Sequence, residues 1–141
     1  MNVYADSSFF VSLYLRDAHF SEARRRIGQQ HRVWLTPLHR VEWSHAVAQH
    51  VFRRVISEQE AAKAYSEFDA DRVKGLWVEV EMPVRVFDIA IWIARKHVEQ
   101  MGGRTLDSLH VASALELAAD EFWTFDDRQA KLARAVGLKE S

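Results

Sequence analysis

Short apolar runs alternate along this chain with longer segments of mixed polarity. Residues 2–5 (NVYA), 33–35 (VWL) and 122–125 (FWTF) are compact apolar runs that predict buried strands. LWVEVEM at 76–82 alternates apolar and polar positions and is ended by Pro83, which predicts a further strand. The segments between them carry helical periodicity and helix punctuation. Helices are predicted over 8–15 and 17–30, with a break near Arg16–Asp17. Thr36-Pro37 supplies an N-cap and a proline at the first helical position, for a helix reaching Arg54. Ser57 and Glu60 form a capping-box pattern that opens a helix to Lys74, with Gly75 as its stop. A helix over 84–100 closes at Gly102-Gly103, Thr105 caps one across 106–119, and a last one over 127–136 ends at Gly137.

Strands this short and apolar, alternating with helices, are covered on both faces and pair in parallel. Right-handed crossovers then give an α/β fold, a three-layer α/β/α sandwich with a short parallel sheet of four to five strands. The chain ends soon after Gly137-Leu138, so a fifth edge strand is expected to be very short. No repeat, low-complexity segment or Pro/Gly-rich linker interrupts residues 1–141, which predicts a single domain.

Composition narrows the class. Hydrophobic residues make up 48% of the chain, with five Trp and eight Phe, enough for a real core. The absence of cysteine excludes a disulfide scaffold and thiolate metal sites, and is compatible with a reducing cytoplasm, the expected location. No secretory pattern opens the sequence, and no apolar run approaches the ~20 residues needed to span a bilayer, so no membrane role is expected. The net charge of −1 hides an asymmetry. Residues 16–54 hold eight Arg against three acids (Asp17, Glu22, Glu42), together with five of the seven His. Such a surface suits a polyanion such as nucleic acid, or is simply a solvated helix face. Of the aromatics on the early helices (Phe9, Tyr14, Phe20, Trp43, Phe52, Tyr65, Phe68), core packing is the expected role for most.

An open parallel sheet binds ligands beyond the carboxyl ends of its strands. Asp6 follows the strand at 2–5, and Asp126, with Asp127 beside it, follows 122–125. Glu42 lies in the second turn after 33–35, bordering a stripe of Leu38, Val41, Ala48 and Phe52. Asp107 shares a helix face with Val111, Ala114 and Ala118, a core-directed place that is unfavourable unless its charge is offset. Each acid alone has a structural reading. Asp6 can cap the helix at 8–15, Asp107 can favour its helix N-terminus, Glu42 can pair with Arg40 or His45, and Asp126 or Asp127 can cap the last helix. Jointly, four acids at one end of a sheet repel unless a cation lies among them. A carboxylate-only set suits a hard ion, Mg²⁺ or Mn²⁺. No HExxH-like pair occurs, which argues against zinc hydrolase chemistry, and His110 is read as a packing or supporting residue.

ADSSFF, the helical Glu42 in HRVEW, LDSLHVASAL and TFDD occur in the order found in PIN domains. Over essentially its whole length the chain resembles the VapC-type toxin ribonucleases of toxin–antitoxin pairs. The resemblance implies a metal-dependent endoribonuclease on a parallel α/β/α sandwich. It matches Asp6, Glu42 and Asp107 to the family's three main acidic positions and Asp126 to a fourth, with Asp127 an alternative for that place. Ser8, Thr124 and Asp127 are matched to supporting roles. It further implies Mg²⁺ or Mn²⁺ at the acids, an RNA substrate cut to a 5′-phosphate and a 3′-hydroxyl, a cognate antitoxin and a homodimer. Arginines of 16–54 are expected to grip RNA phosphates. On this reading Asp6 is the central ligand, and Ser7 and Ser8 take the capping and supporting roles. Two alternatives stand beside it. One is a non-catalytic RNA- or protein-binding domain of the same fold. The other is an aspartyl-phosphate phosphatase or receiver-like protein built on Asp6, although Ser8 stands where such a phosphatase has a second Asp.

Overall fold

Strand β1 (Asn2–Ala5) is an interior strand of a four-stranded sheet in the computed structural model, which describes residues 1–29 and 31–140. The order is β3-β2-β1-β4, with β2 at Arg32–Leu35, β3 at Val78–Glu79 and β4 at Glu121–Trp123. Every pairing is parallel, and Val3 is in register with Val33 on one side and Glu121 on the other. Beyond β4 a single parallel bridge joins Phe122 to Glu140, so the fifth strand is reduced to one pairing.

Alternation along the strands divides the core into two layers. Val3, Ala5, Val33, Leu35 and Trp123 face one side. There they meet helices α1 (Ser7–Leu15), α2 (Phe20–Ile27), α3 (Pro37–Phe52) and α4 (Glu58–Val73). Tyr4 and Phe122 face the other side, against α5 (Arg85–Ile93), α7 (Thr105–Glu116) and α8 (Asp127–Ala135). Between α5 and the short α6 (Glu99–Met101), residues Ala94–Val98 form a π-helical turn, where sequence predicts unbroken helix over 84–100.

Several expected boundaries move for identifiable reasons. The strand expected at 76–82 keeps only Val78–Glu79. Its neighbour β2 ends at Leu35, whose carbonyl takes the last pairing from the Val80 N–H. Trp77 turns into the core instead and donates to the Tyr14 hydroxyl at 3.1 Å. The helix expected from residue 17 starts at Phe20, because Asp17 accepts from the Ser12 hydroxyl and the His19 N–H (both 2.9 Å) and folds a turn of its own. The buried face of α3 is His39, Trp43 and Val47, while Val41 and Phe52, expected on the apolar stripe, are exposed. A buried histidine anchors that stripe, and an apolar count misses it. Thr36 and Ser57 do cap α3 and α4, each with its box partner, His39 and Glu60.

Candidate active site

The carboxyl ends of β1 and β4, the first two turns of α3 and the first turns of α7 and α8 converge at one end of the sheet. Asp6 follows β1 directly, and its N–H still belongs to the sheet, donating to the Trp123 carbonyl at 2.9 Å. Asp6 is 3% exposed. Oδ1 accepts the Ser8 hydroxyl at 2.5 Å and the Phe9 N–H at 3.3 Å, and Oδ2 accepts the Thr124 hydroxyl at 2.5 Å. Asp6 is therefore the N-cap of α1 itself, rather than Ser7 or Ser8. Burial raises its pKa, and the bonds from Ser8 and Thr124 work against that rise.

Thr124 ties Asp6 to Asp126, because its oxygen also accepts the Asp126 N–H at 3.0 Å. Asp126 caps α8, accepting from the N–H groups of Arg128 (2.8 Å) and Gln129 (3.1 Å). Asp127 follows it, exposed, in the first turn of α8. Asp107 is 6% exposed in the first turn of α7. It is held from one side by Arg104, whose backbone N–H and Nε lie 3.2 Å from Oδ2 and whose Nη2 lies 3.3 Å from Oδ1. The N-cap position of α7 is thus Arg104, not Thr105, and Asp107 reaches back to supply the missing acceptor. Glu42, on α3, pairs with neither Arg40 nor His45. Its Oε1 accepts the Ser7 hydroxyl at 2.8 Å and the N–H of His110 Nε2. Burial pushes the Glu42 pKa up, but the bonds from His110 and Ser7 bring it below the usual carboxylate range.

Asp107, Asp126 and Asp127 line one cleft with Met101, Arg104, Arg128 and Lys131. The cations on this cleft come from residues beyond 100, not from the Arg-rich stretch at 16–54. In that stretch Arg25 and Arg26 pair with Glu22, and Arg16 and Arg24 lie over Phe20.

A family model of the PIN domain matches residues 3–135. The chain belongs to the PIN domain family. Solved structures share the fold of this PIN domain. The VapC20 sarcin-ricin loop cleaving toxin of Mycobacterium tuberculosis matches with a TM-score of 0.70 at 18% identity, over 96% of this chain and 95% of its own. VapBC2 of Rickettsia felis, bound to a promoter DNA fragment, gives 0.68 at 12% identity, over 100% and 98%. FitAcB of Neisseria gonorrhoeae gives 0.67 at 15% identity, over 98% and 95%. Among curated protein sequences none matches.

The donors in this PIN domain are oxygens, the kind hard divalent ions prefer. A positive charge already stands in their field. Hydrogen bonding to Asp107 raises the Arg104 pKa, and Asp126 and Glu42 add to the effect. The carboxyls are not gathered into a ready-made cluster: among the described residues, no group of three or more His, Asp or Glu is placed to hold a metal. Asp107 is engaged by Arg104 and Glu42 by His110. The oxygen donors fit a hard divalent cation by chemistry and charge, and Arg104 is the cationic group that holds Asp107.

Sequence reasoning named Ser7 as a supporting residue but missed Tyr4, Arg104 and Gln129, whose side-chain amide reaches the Asp107 carbonyl at 3.4 Å. Two carried readable signals. Tyr4 stands two residues before Asp6, on the same face of a strand. Arg104 stands three before Asp107, an ion-pair spacing at a helix start.

His39 makes a separate contribution that pH can isolate. It is fully buried; its Nδ1 accepts the Thr36 N–H at 2.9 Å and its Nε2–H donates to the Ala5 carbonyl at 2.6 Å. Burial holds its pKa well below 6.5. The unfolded chain takes up a proton that the folded ring refuses. Stability is therefore full above about pH 6.5 and falls below it, by at most about 1.4 kcal/mol per pH unit. Urea unfolding of the parent across that range is expected to show the slope, and His39→Gln to lose it. An unchanged slope in the variant would assign it to another group.

Proposed function

We propose that this PIN domain is a divalent-metal-dependent endoribonuclease and the toxin of a toxin–antitoxin pair. The observation that carries the reading is the placement of Asp6, Glu42, Asp107 and Asp126 at the carboxyl end of a parallel sheet, beside a cleft wall of Arg104, Arg128 and Lys131. Membership of the PIN family and likeness to a VapC toxin that cleaves the sarcin-ricin loop support RNA as the substrate class. Likeness to the VapBC2 assembly supports an antitoxin partner, and a homodimer is part of the same reading.

Asp6, Glu42, Asp107 and Asp126 would hold Mg²⁺ or Mn²⁺. When bound, the ion supplies a water acidic enough to ionise near neutral pH and positive charge for the phosphoryl oxygens. Ser8 and Thr124 hold both oxygens of Asp6 and favour its ionised form against burial. Arg104 exchanges Asp107 for a substrate phosphate, and Arg128 and Lys131 extend that contact along the cleft.

The test is cleavage of end-labelled RNA by the purified protein. EDTA is expected to reduce the rate by about 10²–10³-fold, several kcal/mol of lost stabilisation, and excess Mn²⁺ to restore it. Undiminished cleavage in EDTA would overturn metal dependence. RNA binding without cleavage in Mn²⁺ would favour the non-catalytic alternative.

A further inference from the structure

Tyr4 does not reach the cleft, yet it is tied to it. Its ring is fully buried, and its hydroxyl lies 2.7 Å from Nδ1 of His110, itself 2% exposed. On the other side of that ring, Nε2 meets Glu42 Oε1, which also accepts the Ser7 hydroxyl at 2.8 Å. The available protons set the direction of the chain. An ionised carboxylate only accepts, so Nε2 carries the hydrogen. In the neutral ring Nδ1 then presents a lone pair, and the Tyr4 O–H donates to it. The neighbouring Ser113 hydroxyl directs its own hydrogen to the Leu109 carbonyl at 2.7 Å. Tyr4, Asp6 and Ser7 lie on β1 and the turn that follows it. One strand therefore delivers Asp6 and also registers Glu42, which sits on a different helix.

We propose that Tyr4 and His110 are positioning residues, a buried Tyr4–His110–Glu42 relay that fixes His110 as the Nε2–H tautomer and aims Glu42 at the cation site. The proposal rests on reading Glu42 as one of the cation-holding acids. Without the Tyr4 hydroxyl, the ring proton is free to move to Nδ1, which turns a lone pair against the carboxylate. Outer partners of this kind typically change metal affinity by about 10–100-fold.

Two measurements test it. In Mn²⁺ titration calorimetry, Tyr4→Phe and His110→Asn are expected to bind about 10–100-fold more weakly than the parent. His110→Gln, whose side-chain N–H can still reach Glu42, recovers most of the loss, which a simple packing role would not produce. In ¹⁵N NMR of the cation-free parent, His110 is expected to show a protonated Nε2 and a bare Nδ1, and Tyr4→Phe to shift both toward a mixture. Parent-like Mn²⁺ affinity in Tyr4→Phe and His110→Asn, while Glu42→Gln loses binding, would overturn the relay alone. So would an Nδ1–H ring in the parent. Parent-like Mn²⁺ binding by Glu42→Gln would overturn the acidic-site reading instead. Should His110→Asn fail to fold, Tyr4→Phe, which removes one oxygen, decides the matter.

Discussion

Asp6→Asn is expected to fold and to cleave RNA about 10²–10³-fold more slowly than the parent at saturating Mn²⁺. The fold survives because the amide oxygen still accepts the Phe9 N–H that Asp6 holds as N-cap of α1. The amide NH₂ then faces Thr124, whose oxygen has a second lone pair besides the one taken by the Asp126 N–H. Burial already disfavours the Asp6 charge, so removing it relieves desolvation rather than adding strain. The loss of activity comes from the loss of a charged oxygen from the acidic set. Cleavage rates beside a thermal melt monitored by circular dichroism separate the two effects. A variant that melts like the parent and cuts RNA at the parent rate would leave Asp6 as a helix cap and nothing more.

The largest stability effect is expected at the residue beside Glu42. Trp43 is 2% exposed, stacked on Phe68 at 4.1 Å and met edge-on by Tyr14 and Tyr65, each at 5.6 Å. Trp43→Ala removes this whole contact set and should cost about 3–5 kcal/mol, much of the ~5–15 kcal/mol by which domains are stable. The indole Nε1 has no hydrogen-bond partner among the described residues. Trp43→Phe therefore deletes an unpaired buried N–H along with some area, and should lose clearly less than Trp43→Ala. Because Trp43 sets how α3 seats on the core, the alanine variant should also weaken Mn²⁺ binding through Glu42. Urea unfolding measures the first effect, and a Trp43→Ala protein with parent stability would refute it.

The layered α/β fold was legible because its strands are short and apolar and its helices carry their own punctuation, as at Thr36-Pro37 and Ser57-x-x-Glu60. Asp6 and Asp126 were legible as acids at strand ends, which places them without tertiary information. What sequence could not give was the partner of Glu42. Glu42 meets a histidine sixty-eight residues away, and that pairing follows from how α3 and α7 cross the end of the sheet. Trp77 shows the same limit in the fold. Alternation marked it as a strand residue, but the pocket around Tyr14 and Phe10 draws it out of the sheet. The π-helical turn at Ala94–Val98 has no mark in composition that would separate it from ordinary helix.

The interior position of β1 has a dynamic consequence. Its amides are paired to neighbours on both edges, so Asp6 and the relay at Tyr4 should exchange hydrogen only when the whole domain opens. Asp107 is placed differently. It follows Gly102 and Gly103, both at positive φ (73° and 138°), and its Arg104 partner has a side chain that is 73% exposed. The Gly102–Arg104 segment is expected to exchange hydrogen faster than β1. The carboxylates of the acidic set are therefore expected to differ in local opening, Asp6 opening with the sheet and Asp107 next to a glycine-flanked, solvent-exposed partner.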